Sequence, residues 1–266
     1  SPCPFDGLHR VGERCGLEPT EDKTDAVIGK VGDKAFYAWE QVASGYAAVW
    51  AKANTREEIF AAMMRREVYA TTGSRITLRF FGGWGYTEED LVGHDFVRVG
   101  YEKGVPMGGE MCRSSAADAL PVFMLAAMMD SYGGRLDRIQ VIKGWLDTNG
   151  EAHEKVYNVV CSNQRVVRDG RCPLSNGSSE GAKSWESVAG ESELSAIWID
   201  HSFDENEAAF YYARVIEVPT PRWSTHDAAR FSTVPPSKAP LFIRERAYSS
   251  PIWFNPEQTP ECGELQ

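Results

Sequence analysis

The chain has 266 residues, of which 42% are hydrophobic, so it is long enough for one large domain or two modest ones. Its formal net charge of -10, from 28 basic and 38 acidic residues, argues against a nucleic-acid-binding protein, because such proteins need a concentrated cationic face. No window reaches the roughly 20 uninterrupted apolar residues that cross a bilayer, so no membrane span is expected.

The N-terminal part is predicted to begin as irregular chain and to continue into one helix. Residues 1–35 are rich in Gly, Pro and charged side chains and show no sustained hydrophobic period, which is typical of loop. Thr55 precedes Glu58 by three positions, the spacing of a capping box, so a helix is predicted to begin there. The apolar residues that follow recur at one-turn spacing and predict a face packed on the core: Ile59, Phe60, Met63 and Met64.

After the Thr72-Gly73 turn the hydrophobic period changes from helical to extended, and beyond Trp84 the chain is predicted to be mostly β. The candidate strands are residues 95–101, 121–129, 138–146, 154–162, 193–200, 209–218 and 247–254. Asn149-Gly150, a dipeptide that readily adopts positive φ, predicts a hairpin between two of them. Turn signals separate these short strands and crossover helices are missing, which favours an antiparallel β-sandwich.

The six cysteines are even in number and contain no C-x-x-C pair, which argues against a zinc ribbon or a thioredoxin-type redox site. The disulfides predicted from their separations along the chain are Cys3–Cys15, Cys161–Cys172 and, by elimination, Cys112–Cys262. Disulfides would place the protein in an oxidising compartment outside the cytoplasm. Six buried free thiols are the alternative.

The five histidines are isolated from one another and form no H-x-H or H-E-x-x-H arrangement. In "FDGLHR", Asp6 and His9 are close enough to share an ion if another segment supplies further ligands. The acidic run "IDHSFDENE" lacks the order of an EF-hand and is predicted to be a solvated loop. No P-loop, nucleophile elbow or dinucleotide motif follows a strand. Arg75 and Arg79 either face an anion or form ordinary surface ion pairs.

Several long stretches of the sequence carry a family resemblance. They are "NTREEIFAAMMRREVYATTGSRITLRFFGGW", "GYEKGVPMGGEM", "LDRIQVIKGWLDTNGEAHEKVYNV", "ELSAIWIDHSFDENEAAFYYARVIEVPTPRWSTHDAARF" and "ERAYSSPIWF". In this order, from Ala48 to Phe254, they closely resemble the C-terminal part of a bacterial family known as domain of unknown function 3604.

The resemblance implies a metal-dependent activity that this chain carries only in part. Members of the family are usually longer, and their N-terminal portion looks like a phosphoesterase of the polymerase and histidinol phosphatase (PHP) type. Its G-D-L-H-x-H-T-like and T-D-H-like segments are absent here, and "PFDGLHRVGERCG" stands where the closing S-D-x-H-like segment is expected. His9 is the nearest match to the closing His, with Gly7 rather than Asp two residues before it.

These observations together predict an α+β protein. Residues 1–84 are expected to be the C-terminal edge of a PHP-like α/β domain, and residues 85–266 an antiparallel β-sandwich. The expected function is part of a divalent-metal-dependent hydrolase of phosphoesterase type, with His9 and Asp6 as metal ligands and Arg75 binding the substrate. The remaining ligands would come from a missing N-terminal segment or a separate partner chain. The alternative is a non-enzymatic extracytoplasmic module, periplasmic or secreted, that docks on such a partner.

Overall fold

The computed structural model describes residues 26–40, 45–92, 95–116, 118–168, 170–173 and 190–257. The strands are β1 (Val27–Val31), β2 (Lys34–Tyr37), β3 (Tyr46–Val49), β4 (Val68–Thr71), β5 (Thr77–Gly83), β6 (Gly104–Pro106), β7 (Val122–Met128), β8 (Leu136–Leu146), β9 (Ala152–Cys161), β10 (Glu193–Ile199), β11 (Ala209–Glu217), β12 (Thr220–Pro221), β13 (Phe242–Ile243), β14 (Arg246–Ser249) and β15 (Ile252–Phe254). The α-helices are α1 (Arg56–Met64), α2 (Phe96–Lys103) and α3 (Trp223–Arg230).

Two antiparallel sheets form the body of the described fold. The larger has the strand order β3-β4-β14-β11-β8-β9, with β15 also pairing with β11, and the smaller has the order β10-β7-β5-β6. Short antiparallel pairs are formed by β1 with β2 and by β12 with β13. This mostly antiparallel arrangement with few helices is consistent with the predicted α+β class and β-sandwich.

The core lies between the two large sheets. Phe80 and Phe123 of the smaller sheet stack with their ring centroids 5.5 Å apart, and Phe123 also meets Tyr211 of the larger sheet at 4.5 Å. Alternate residues of the central strands point inward, as Ile139 and Val141 of β8 do, because successive side chains of a strand face opposite sides. Each such fully buried side chain contributes about 1.5–3 kcal/mol through removal of apolar surface from water.

Several predicted elements are confirmed. Thr55 caps α1, and its Oγ1 accepts the backbone N–H of Glu58 at 3.3 Å. Strands occur at 122–128, 136–146, 152–161, 193–199 and 209–217. The hairpin of β8 and β9 turns where predicted, although Gly150 alone adopts positive φ, at 80°. Its N–H donates to the carbonyl of Asp147 at 2.9 Å, so glycine is needed at one position of this turn rather than two.

The strand predicted at residues 95–101 is wrong, because Asp95 is the N-cap of helix α2 and residues 96–101 lie within that helix. Arg98 bridges Asp95 and Glu102 at helical spacings of three and four residues, with distances of 2.8 and 2.6 Å. Gly100 lets α2 lie close to the smaller sheet, since a Cβ there would be 2.7 Å from the Phe81 ring. The helix thereby covers the outer face of that sheet.

The expected core-facing stripe of α1 is also wrong. Ala62 is its buried residue, whereas Phe60, Met63 and Met64 are exposed by 62%, 51% and 68%. One-turn spacing locates an apolar face but does not identify what covers it. Two smaller expectations fail as well: part of the predicted N-terminal loop forms β1, and the last predicted strand divides into β14 and β15 at Pro251, which has no N–H for a ladder.

An α/β edge is not seen in the described residues before position 84. Their strands β4 and β5 pair antiparallel with β14 and β7, so they extend the same two sheets as the later part of the chain. The division of the whole protein into domains at residue 84 stays a prediction.

Candidate functional site at one end of the sandwich

A buried carboxyl group lies at one end of the sandwich, where β11 finishes. Glu217 is inaccessible to solvent. The hydroxyl of Ser74 donates to its Oε1 at 2.5 Å, and the backbone N–H of Gly134 donates to its Oε2 at 3.1 Å. A Cβ at position 134 would be 2.9 Å from Oε2, so glycine is what allows the backbone to approach this carboxyl. Gly133 also lies close to Glu217, since a Cβ there would be 3.1 Å from Oε1, whereas the Thr72-Gly73 turn contacts the neighbouring Glu245.

The surroundings of Glu217 favour its neutral form. Burial, the largest cause, and the negative charges of Glu245 and Asp130 together raise its pKa from 4.5 to about 7, against the hydrogen bonds from Ser74 and Gly134, which lower it. This carboxyl therefore changes its charge close to neutral pH. A perturbed acid of this kind is more frequent at functional sites than elsewhere, which directs attention to this end of the molecule.

Arg75, the candidate substrate-binding residue, directly follows Ser74, whose hydroxyl binds this carboxyl group. Its backbone N–H donates to Asp130 Oδ2 at 2.7 Å, and its guanidinium lies over the Tyr46 ring, 5.7 Å from the centroid. The structure thus brings Arg75 to the same end of the sandwich, while its role in binding stays a prediction. Arg79 is an ion-pair former, since its Nη1 lies 3.4 Å from Glu67 Oε1 and its guanidinium packs on Trp50.

A second group of charges at this end, here called the arginine cluster, consists of Asp137, Arg138, Arg165 and Arg244. Asp137 Oδ1 accepts from Arg165 Nη2 at 2.6 Å, and its Oδ2 accepts from Arg244 Nη1 at 3.2 Å and from Arg138 Nη1. Three positive charges thus share one carboxylate, whose side chain is 5% exposed. Burial lowers the pKa of Arg138; the charge and hydrogen bond of Asp137 oppose this, and the positive charges of Arg244 and Arg165 add to it.

The arginine cluster and Glu217 are neighbours in the larger sheet. Glu217 pairs with Leu136, the residue before Asp137, and its backbone N–H donates to the carbonyl of Glu245, the residue after Arg244, at 3.0 Å. The arginine cluster, with three guanidiniums on one carboxylate, therefore lies next to a carboxyl group that titrates near neutrality. The sequence alone did not predict this site.

A disulfide fixes the loop that carries Arg165. Cys161 and Cys172 are bonded, as predicted, and close a segment of 11 residues. Arg165 binds next to both cysteines, with Nε donating to the carbonyl of Ser162, the residue after Cys161, at 2.9 Å, and Nη1 to the carbonyl of Pro173, the residue after Cys172, at 2.5 Å. Its guanidinium is therefore held by the loop as well as by Asp137.

The remaining cysteines and the predicted metal ligands are only partly within the described residues. Cys112 is also disulfide-bonded, to a partner outside these residues. Cys3, Cys15 and Cys262, for which pairings were predicted, lie outside them. So do His9 and Asp6, and their role as metal ligands stays a prediction.

Among the described residues, one set has donor atoms close enough to hold a metal ion: Asp147, Glu151 and His153, at the tip of the β8–β9 hairpin. The oxygens of Asp147 already have hydrogen-bond partners within the hairpin. Its Oδ1 accepts the backbone N–H groups of Asn149 and Glu151, both at 2.9 Å, and its Oδ2 lies 3.0 Å from His153 Nε2. These bonds close the hairpin turn. No comparable set is found around Glu217 in the part of the chain that the structure describes.

The interior of the sandwich holds a third group of charges. Lys143 and Asp200 are both buried, and Lys143 Nζ lies 2.7 Å from Asp200 Oδ2, which also accepts from the Tyr211 hydroxyl at 2.8 Å. Burial alone would raise the pKa of Asp200, but the bonds from Lys143, Ser202 and Tyr211 outweigh it and lower the pKa. The prediction that the whole "IDHSFDENE" run is solvated is therefore wrong for Asp200. The available signal was a lysine in the apolar stretch "VIKGWL".

The helices of the described residues include none that is both long and apolar enough to span a membrane. No curated protein and no solved structure matches the chain. Residues 8–256 match the family described as "Protein of unknown function (DUF3604)", which covers nearly the whole chain and agrees with the resemblance of its motifs. The chain belongs to the DUF3604 family.

Proposed function

We propose that this chain is part of a divalent-metal-dependent hydrolase of the phosphoesterase type, in which the sandwich recognises the anionic group of the substrate. The observation that supports the proposal is that the arginine cluster and Glu217 lie next to each other at one end of the fold. Phosphate esters require positive charge for binding and a group that exchanges protons near neutral pH for efficient cleavage. This end offers both types of group.

The arginine cluster contrasts with the negative net charge of the whole chain. The chain carries a formal net charge of -10, yet here three arginines surround one carboxylate. An ordinary structural ion pair would be balanced, because unbalanced charges of one sign repel each other in a partly buried setting. A ligand that brings negative charge would remove that imbalance.

The described residues at this end of the fold do not include a set of ligands for the metal ion of such a hydrolase. We propose that the ligands come from His9 and Asp6 together with a PHP-like N-terminal segment or a separate partner chain, as the family resemblance implies. The enzyme would act outside the cytoplasm, in the periplasm or as a secreted protein, a location that the Cys161–Cys172 disulfide supports.

The test uses protein isolated from its native source, with its intact mass and metal content measured first. Release of phosphate from aryl phosphate monoesters and diesters is then followed with Mg²⁺, Mn²⁺ or Zn²⁺. We expect metal-dependent turnover. Its absence with every metal and both ester classes, in material that includes any preceding segment and partner chain, would refute the proposal.

The exposed apolar face of α1 favours a second candidate function, a non-enzymatic module that docks on a partner chain. Phe60, Met63 and Met64 are each more than half exposed, and apolar side chains grouped on one helix face are typical of contact surfaces. If docking is the function, the double variant Phe60→Gln/Met64→Gln should dissociate from the co-purified partner in gel filtration while its circular dichroism is unchanged. An unaltered complex would argue against this account.

A further inference from the structure

We propose that Arg138 and Arg244 form a binding site for a tetrahedral oxyanion, a phosphate or sulfate group, at the Glu217 end of the sandwich. The existence of the site does not depend on hydrolysis. Only the identification of the oxyanion as part of a substrate rests on the proposed function.

The hydrogen bonds of the three arginines show which of them have donors left for a ligand. Arg165 uses Nε, Nη1 and Nη2 on Ser162, Pro173 and Asp137. The guanidiniums of Arg138 and Arg244 each use one nitrogen, Nη1, on Asp137 Oδ2, and neither guanidinium makes another hydrogen bond within the described residues. Because a guanidinium has five N–H donors in a planar fork, both keep most of theirs for a ligand.

The exposure of the side chains agrees with this division of roles. Arg165 is 13% exposed, whereas Arg138 and Arg244 are 25% and 28% exposed. Arg138 and Arg244 are therefore accessible to solvent but partly shielded from it. Partial shielding strengthens the attraction for an anion, since the effective dielectric constant near a protein surface is well below that of water.

Asp137 is a positioning residue in this site. Its Oδ2 accepts from both Arg138 and Arg244, which fixes their Nη1 atoms around a single point. Its one negative charge leaves the three guanidiniums with an excess of two positive charges. An oxyanion of charge -1 to -2 at the free forks would offset this excess.

The geometry favours a tetrahedral oxyanion over a carboxylate. Two guanidiniums, one from β8 and one from the link between β13 and β14, can each bind a different pair of oxygens on a phosphate or sulfate group. A carboxylate has only two oxygens in one plane, and both guanidiniums already share one carboxylate oxygen, Asp137 Oδ2. Acetate should therefore bind more weakly than phosphate or sulfate.

Isothermal titration calorimetry of the purified full chain at low ionic strength tests the site, with inorganic phosphate, sulfate and acetate as separate probes. We expect phosphate or sulfate to bind, acetate to bind weakly, and the Arg138→Gln/Arg244→Gln variant to lose at least tenfold in affinity. The matched control is Arg98→Gln, because Arg98 is an exposed arginine already balanced by Asp95 and Glu102. Its affinity should equal that of the wild type.

The stronger of the two inorganic anions indicates whether a phosphate or a sulfate ester is the better candidate ligand. Equal affinities of wild type and double variant, or no binding of either anion to the wild type, would overturn the site. Arg244→Gln alone, with its fold checked by circular dichroism, gives the same decision if the double variant does not fold. Anion binding without ester turnover would keep the site and reject the hydrolase, whereas turnover unaffected by both substitutions would keep the hydrolase and reject the site as its substrate pocket.

Discussion

The Lys143–Asp200 pair and the arginine cluster both place charges inside or beside the sandwich, but they differ in balance and in access to solvent. Lys143 and Asp200 have one charge each, are 2% and 1% exposed, and have Tyr211 and Ser202 to complete the hydrogen bonding. The arginine cluster has three positive charges on one carboxylate, and two of its arginines are about a quarter exposed.

This difference indicates different roles. A closed and balanced pair has no net charge and no access to solvent with which to bind a ligand, so its contribution is to specify how the two sheets fit together. An open and unbalanced cluster is incompletely satisfied by the protein itself. The comparison therefore predicts that damage to the first group affects stability, whereas damage to the second affects binding.

Lys143→Met gives the largest expected effect on stability. It leaves the Asp200 carboxylate buried without its counter-ion, which typically costs about 3–5 kcal/mol. Urea denaturation monitored by tryptophan fluorescence measures the loss. The double variant Lys143→Met/Asp200→Asn should recover part of it, because no unpaired charge remains. A loss no greater than that of Arg244→Gln would contradict the distinction between the two groups.

Glu217 sharpens the comparison because it is buried and forms no ion pair with any of the described residues. Its pKa is raised from 4.5 to about 7, so the stability linked to its proton is fully present below pH 4.5 and is lost as the pH rises through 7. The difference corresponds to on the order of 3 kcal/mol. Glu217→Gln should therefore remove this loss and make the protein more stable than wild type at pH 8.

The measurement is the free energy of unfolding in urea at pH 4.5 and pH 8 for the wild type and for Glu217→Gln. Glu102→Gln, which removes an exposed carboxylate of α2, is the matched control and should keep the wild-type dependence on pH. Equal slopes for Glu217→Gln and wild type would show that this carboxyl does not titrate in the expected range.

Local patterns in the sequence predicted much of the fold. The extended hydrophobic pattern and the turn signals predicted strands β7 to β11, and the spacing of Thr55 and Glu58 predicted the start of α1. The segment of α2 was misread because a short apolar run fits either period, and the decisive signal was the spacing of Asp95, Arg98 and Glu102. The exposed face of α1 was not predictable, since its pattern is the same whether the face is covered or not.

The candidate site was beyond prediction for a different reason. Asp137 and Arg244 are 107 residues apart and meet only because β11 lies between β8 and β14. Ser74 and Glu217, 143 residues apart, likewise depend on how the sheets pair. Spacing along the chain carries no information about such contacts. Cys161 and Cys172 were predictable because their separation is short.

Removal of the Cys161–Cys172 disulfide tests whether the arginine cluster depends on its loop. With 11 residues of separation, the double variant Cys161→Ser/Cys172→Ser should lose somewhat less than the roughly 3 kcal/mol associated with a 15-residue loop. Because Arg165 is held by Ser162 and Pro173, which directly follow the two cysteines, we also expect weaker phosphate binding. Thermal unfolding and calorimetry measure the two effects. Full anion affinity in the variant would show that Arg165 does not organise the site.

The smallest effect on stability is expected for Arg138→Gln and Arg244→Gln, although both residues lie in a cluster of four charged side chains. Each substitution loses one hydrogen bond to Asp137 but also relieves repulsion from the other arginines, so the change in the free energy of unfolding should stay within about 1 kcal/mol.

The contrast between the two groups of charges should appear when sulfate is added. A ligand that binds only the folded state stabilises it in proportion to the logarithm of its concentration, so the wild-type melting temperature should rise with sulfate above the general salt effect. Chloride at matched ionic strength corrects for screening, and the double variant should show only that general effect. If both proteins respond equally to sulfate, the open cluster is no more than a second structural ion network, and the contrast with Lys143 and Asp200 reduces to exposure alone.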